Sequence, residues 1–76
     1  MNEKELTTRI KDLYPDAEIT VAGENCSFEV NVITPAFAEM KSLQRQRSIL
    51  TLFNAEIATG ELHALTVKAN TPQELQ

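Results

Sequence analysis

Seventy-six residues leave room for a single domain, and a chain this short hides only about 60–65% of its unfolded surface, so an enclosed substrate pocket beside a core is not expected. Hydrophobic residues make up 42% of the chain, enough apolar material to exclude disorder. The net charge of -4 argues against a dedicated nucleic-acid binder, which needs a basic footprint, and a lone cysteine excludes an internal disulfide and fits a reducing compartment.

In chain order, Asn2 is placed to cap a first helix, with Glu3 and Glu5 suited to its dipole. Leu6, Ile10 and Leu13, with Tyr14, form its apolar stripe, and Pro15-Asp16 ends it. Glu18 to Ala22 and Ser27 to Ile33 each alternate polar and apolar, with Phe28, Val30 and Val32 on one face. Gly23-Glu24-Asn25 reads as the turn of a β-hairpin, with Cys26 at its exit. Thr34-Pro35 breaks the second strand, and residues 35–40 read as a short helical turn. Ser42 is the expected cap of a helix over about 43–58, with Ile49, Leu50, Phe53 and Ile57 as its core stripe and Gly60 as its C-cap. Arg45 and Arg47 sit in its first turns, where cations oppose the helix dipole, which suggests another use for them. Leu62 to Ala69 is a third strand, and Thr71-Pro72 opens a final helical turn. The order α-β-β-α-α-β gives an α+β fold, 1–76 as one domain. A strand-helix-strand connection predicts a parallel pair with a right-handed crossover, hence a three-stranded mixed sheet with helices on one face.

Few residues carry chemistry. His63 is the only histidine and opens the third strand. On residue type alone it is either a metal ligand or a strand-end imidazole bonded to backbone. Its parity with Leu65 and Val67 places it at the rim of the core face, half-buried. Cys26 is either an idle thiol or a ligand that benefits from a loop's access. Lys41, Arg45 and Arg47 are either a solvated face or a contact surface for carboxylates or phosphates. There is no Ser/His/Asp set, phosphate loop or acid pair with an adjacent base, so no independent active site is expected. No apolar run approaches the ~20 residues of a membrane span. The N-terminus lacks the apolar segment of a signal peptide. The expected compartment is cytoplasmic.

Three segments together resemble the BolA family: Cys26-Ser27-Phe28, the stretch from Phe37 to Ile49, and His63-Ala64-Leu65-Thr66-Val67-Lys68 followed by Thr71-Pro72-Gln73-Glu74. The chain departs from the family pattern at Glu39, Gln46 and Leu75. The resemblance implies a fold like a class II KH domain. With only Gly23 and Gly60, the chain has no Gly-x-x-Gly loop of the kind that grips nucleic acid. It further implies partnership with a monothiol glutaredoxin. The pair would share a [2Fe-2S] cluster held by the glutaredoxin cysteine and glutathione on one side, and by His63, with Cys26 as a second candidate, on the other. Replacing a thiolate with imidazole raises a cluster's potential, which suits iron sensing or cluster trafficking. Arg45, Arg47 and Lys41 would border the docking face. The alternative, also associated with the family, is a DNA-binding transcriptional regulator using the Lys41/Arg45/Arg47 helix and Lys68. Alone, the chain is expected to be a monomer or weak homodimer without cofactor.

Overall fold

A computed structural model describes residues 1–24 and 27–75. Helix α1 spans Glu3–Leu13 and starts as expected, with the Glu5 N–H donating to Asn2 Oδ1 at 2.9 Å. Leu6 and Ile10 are fully buried, while Leu13 is exposed and Tyr14 half-buried. Strands β1 (Glu18–Glu24) and β2 (Ser27–Ile33) pair antiparallel, with Val21 opposite Val30 and Glu24 opposite Ser27. Strand β3 (Ala64–Asn70) lies parallel to β2, Ser27 beside Ala64 and Val30 beside Val67. β2 is therefore central, and the sheet is mixed as expected.

Strand alternation sorts the two faces. Phe28, Val30, Val32 and Val67 are buried with Leu6, Ile10, Ile49 and Phe53 from the helices in one core. The other face carries residues such as Glu29 and Lys68, joined at 2.8 Å. That bond raises the Lys68 pKa.

β1 extends past the expected end at Ala22 and takes Gly23 into the sheet opposite Phe28. Gly23 has φ +116°. A Cβ there would overlap the Ser27 carbonyl oxygen and sit 3.0 Å from the Phe28 Cα, so glycine answers a close approach within the ladder as well as its own backbone.

The crossover differs from the sequence expectation. Thr34 caps a 3-10 turn over Pro35–Phe37, its Oγ1 accepting from the Ala36 N–H at 3.2 Å. Helix α2 covers only Ser42–Leu50. Its N-cap is Lys41, whose N–H donates to Gln44 Oε1 at 3.0 Å, so Ser42 lies inside the helix instead of capping it. Residues Thr51–Phe53 tighten into a 3-10 turn, and α3 (Asn54–Thr59) follows. The break buries Phe53 completely and leaves Ile57 41% exposed, so Ile57 is not the core residue that an unbroken helix implies.

Candidate functional site

His63 stands where α3 turns into β3. Gly60 closes α3 in the left-handed region, φ +85°, its N–H reaching the Ile57 carbonyl at 3.3 Å. The Glu56 carbonyl takes the Leu62 N–H at 3.1 Å and the Thr59 hydroxyl at 3.2 Å. Glu56 is itself fixed: Arg9 on α1 grips its carboxylate at 2.7 and 3.2 Å. Arg9 also donates to the Leu52 carbonyl at 3.2 Å and lies 5.4 Å over the Phe53 ring. The hydrogen bond from Arg9 holds the Glu56 carboxyl below the usual carboxylate range. The turn thus hangs from α1 through a forked ion pair.

Leu62 ends the turn with no exposed surface. One residue later the chain is exposed at His63, and one further it enters the sheet beside Ser27. The strand starts at Ala64, so His63 escapes the alternation that would have set it at the core rim. Among the described residues, the polar contact of its ring is Nδ1 with the Gly60 carbonyl, 3.4 Å away. Cys26 lies outside the described residues. In the chain it adjoins Ser27 as His63 adjoins Ala64, and Ser27 and Ala64 pair. Among the described residues no three His, Cys, Asp or Glu side chains group to hold a metal ion. A metal at His63 therefore needs ligands from beyond them.

The basic residues separate. Lys41 and Arg47 are exposed on α2. Arg45, expected beside them, is only 8% exposed and points inward. Its Nε donates to the Met40 carbonyl at 3.0 Å and its Nη1 to the Ala69 carbonyl at 3.2 Å. Both terminal nitrogens fork onto Glu74 at 2.7 and 3.1 Å, and the guanidinium lies 5.6 Å over the Phe37 ring. Burial with these four hydrogen bonds makes Arg45 a core clamp; it forms no part of an exposed docking face.

Sequence reasoning named Glu74 only within the resemblance to the family and gave it no role of its own. Glu74 completes a capping box with Thr71: the Thr71 N–H donates to Glu74 Oε1 at 2.8 Å and the Glu74 N–H to Thr71 Oγ1 at 3.3 Å. The Thr-x-x-Glu spacing carried that signal, although nothing in it named Arg45 as partner. The Arg45 hydrogen bonds, then that from Thr71, lower the Glu74 carboxyl to about 2. The 3-10 turn Gln73–Leu75 is pinned against α2 as a result.

Comparison with known proteins agrees with this architecture. The family model for BolA-like protein matches residues 8–74. A protein of Acinetobacter guillouiae, described as an uncharacterized protein in the rpoN-murA intergenic region, is 35% identical over 74 residues, covering 97% of this chain and 89% of its own. Protein BOLA2 of Arabidopsis thaliana is 33% identical over 73 residues, 95% of this chain and 76% of the relative. The solved structure of BolA1 from Arabidopsis thaliana superposes with a TM-score of 0.80 at 24% identity, covering 93% and 92% of the two chains.

Proposed function

The chain belongs to the BolA-like protein family, and on that premise we propose that it is a non-enzymatic interaction module of the cytoplasm that docks on a monothiol glutaredoxin and co-ligates a bridging [2Fe-2S] cluster, in iron sensing or cluster trafficking. His63 is the ligand this chain contributes, and Cys26 is the candidate for a second. The observation that carries the reading is the setting of the imidazole: exposed, one ring nitrogen against a backbone carbonyl, on a stem fixed by buried Leu62 and the Arg9–Glu56 pair. Metal-ligating histidines ordinarily give their other N–H to such an acceptor, so the residue present fits the group. When bound, such a cluster supplies one-electron chemistry at a potential raised by nitrogen ligation. The chain's own part is to present the ring at the surface on a fixed stretch of backbone, which leaves less freedom to lose on docking.

The test is a titration with cluster-bearing, glutathione-loaded glutaredoxin, followed by visible absorption and circular dichroism. The parent should change the cluster's spectrum and His63→Ala should not reproduce that change. Cys26→Ser reports whether the thiol takes part. An unchanged spectrum with the parent, or a His63→Ala variant indistinguishable from it, overturns the proposal. The DNA-binding alternative gains no support from the geometry, since Arg45 is committed to Glu74 and Lys68 to Glu29. That leaves Lys41 and Arg47 to work against a net charge of -4.

A further inference from the structure

We propose that the Gly60 carbonyl holds the proton of the neutral His63 ring on Nδ1, so that Nε2 is the atom this chain offers to a metal or to a partner's hydrogen-bond donor. A carbonyl oxygen only accepts, so a hydrogen bond across this 3.4 Å contact requires the hydrogen on Nδ1. The other nitrogen then keeps its lone pair, and it does so at the surface. Free histidine prefers the opposite tautomer, with the proton on Nε2, so the turn works against an intrinsic bias.

The carbonyl is aimed by backbone conformation. Gly60 sits at φ +85° and ψ 2°, while a Cβ built there meets nothing within 4 Å. Glycine is therefore demanded by the dihedral angle and not by crowding. The Leu62 N–H, which could have competed for the same oxygen, goes to the Glu56 carbonyl instead. Leu62 and the Ala64–Ser27 pair fix the main chain on both sides of the ring. Gly60 is thus a positioning residue for His63. The ligand role of the ring rests on the function proposed above, whereas the position of its proton does not.

The experiment needs neither cluster nor partner. Long-range proton–nitrogen correlation spectra of the uniformly labelled full chain report the tautomer directly, and the single histidine leaves no ambiguity of assignment. In buffer at pH about 8.5, the ratio of Nδ1–H to Nε2–H should exceed that of the same chain unfolded in urea by roughly two- to fivefold, the lower range for a long hydrogen bond. Gly60→Asn, which tolerates the left-handed region, should keep the excess, and Gly60→Val should lose it. An equal ratio in folded and unfolded parent overturns the inference. So does a folded Gly60→Val that retains the excess; should that variant fail to fold, the comparison within the parent decides alone. A parent that shows the tautomer but leaves the glutaredoxin spectrum unchanged would sink the proposed function and leave this inference standing, and the converse result would do the reverse.

Discussion

Leu62 and His63 are neighbours with opposite assignments, and replacing each by alanine separates the anchor from the proposed ligand. Leu62 has no exposed surface and shares the core with Phe53 and Phe28. Leu→Ala in a core costs about 2–5 kcal/mol through lost transfer energy and the cavity left behind. Leu62 sits between exposed Glu61 and His63, so the site can partly collapse, and the lower part of that range, about 2–3 kcal/mol, applies. In a domain of this size each kcal/mol moves the thermal midpoint by about 4–8 °C, giving a fall of roughly 10–20 °C. His63→Ala removes an exposed ring with one long hydrogen bond and should stay within about 0.5 kcal/mol of the parent. Thermal and urea unfolding followed by far-ultraviolet circular dichroism measures both. A Leu62→Ala midpoint within about 3 °C of the parent would show that the stem is not set by burial. A His63→Ala loss equal to that of Leu62→Ala would make the imidazole a structural part and refute the division of labour.

The Glu74 carboxyl is lowered from its ordinary 4.5 to about 2 by Arg45 and Thr71, so its contribution is complete above about 4.5 and is lost as pH falls through about 2; acid unfolding curves should steepen in that window, and Glu74→Gln should flatten them while lowering stability at neutral pH. Arg45 and Glu74 should also be coupled, the double substitution Arg45→Met with Glu74→Gln costing less than the sum of the singles in a urea-unfolding cycle. Gly23→Ala should destabilise by at least about 2 kcal/mol, because the added methyl meets the Ser27 carbonyl at a positive φ; a neutral result by thermal unfolding would mean that the β1–β2 ladder opens there at little cost. Fluorescence anisotropy with generic duplex DNA should show no binding at physiological salt, and a steep salt-dependent affinity would revive the nucleic-acid reading.

Local rules made much of the fold legible. Asn2 at the first N-cap, Gly60 after α3 and the Thr34-Pro35 break each follow from the chemistry of one or two residues. The alternation of Phe28, Val30 and Val32 set the buried face of β2, and a helical connection set the parallel pairing of β3. What stayed hidden was decided by contacts distant in sequence. Ile49, Phe53 and Ile57 suit one continuous helix, and the break coincides with contacts distant in sequence: Arg9 donates to the Leu52 carbonyl and Phe53 is seated in the core. Gly23 reads as a turn because the close approach of the Ser27 carbonyl is a property of the paired strands. Arg45 reads as a surface cation because its counter-charge lies 29 residues away. The exposure of His63 depended on whether β3 began at Leu62 or Ala64, a boundary that periodicity does not resolve.

The segment from His63 to Glu74 resembles a single family element, yet its two ends do different physical work. His63 is exposed before the first residue of β3; Glu74, in the turn that follows the strand, is also exposed but closes on the buried Arg45. Seven strand residues, about 23 Å, separate the ends, so Glu74 cannot act on a ligand at His63 by contact. Its influence is mechanical. β3 is an edge strand paired on one side only, the kind of element that frays. Leu62 and the Arg9–Glu56 pair secure its start, and the Arg45–Glu74 fork with the Thr71 box secures its finish. A ring that shares its ligand sphere with another polypeptide must already be still when that partner arrives, because every degree of freedom frozen at docking subtracts from affinity. Under the proposed function, tethering the strand at both ends lowers the ordering cost of docking on one exposed imidazole, a physical reason for tying so polar a terminal segment to α2.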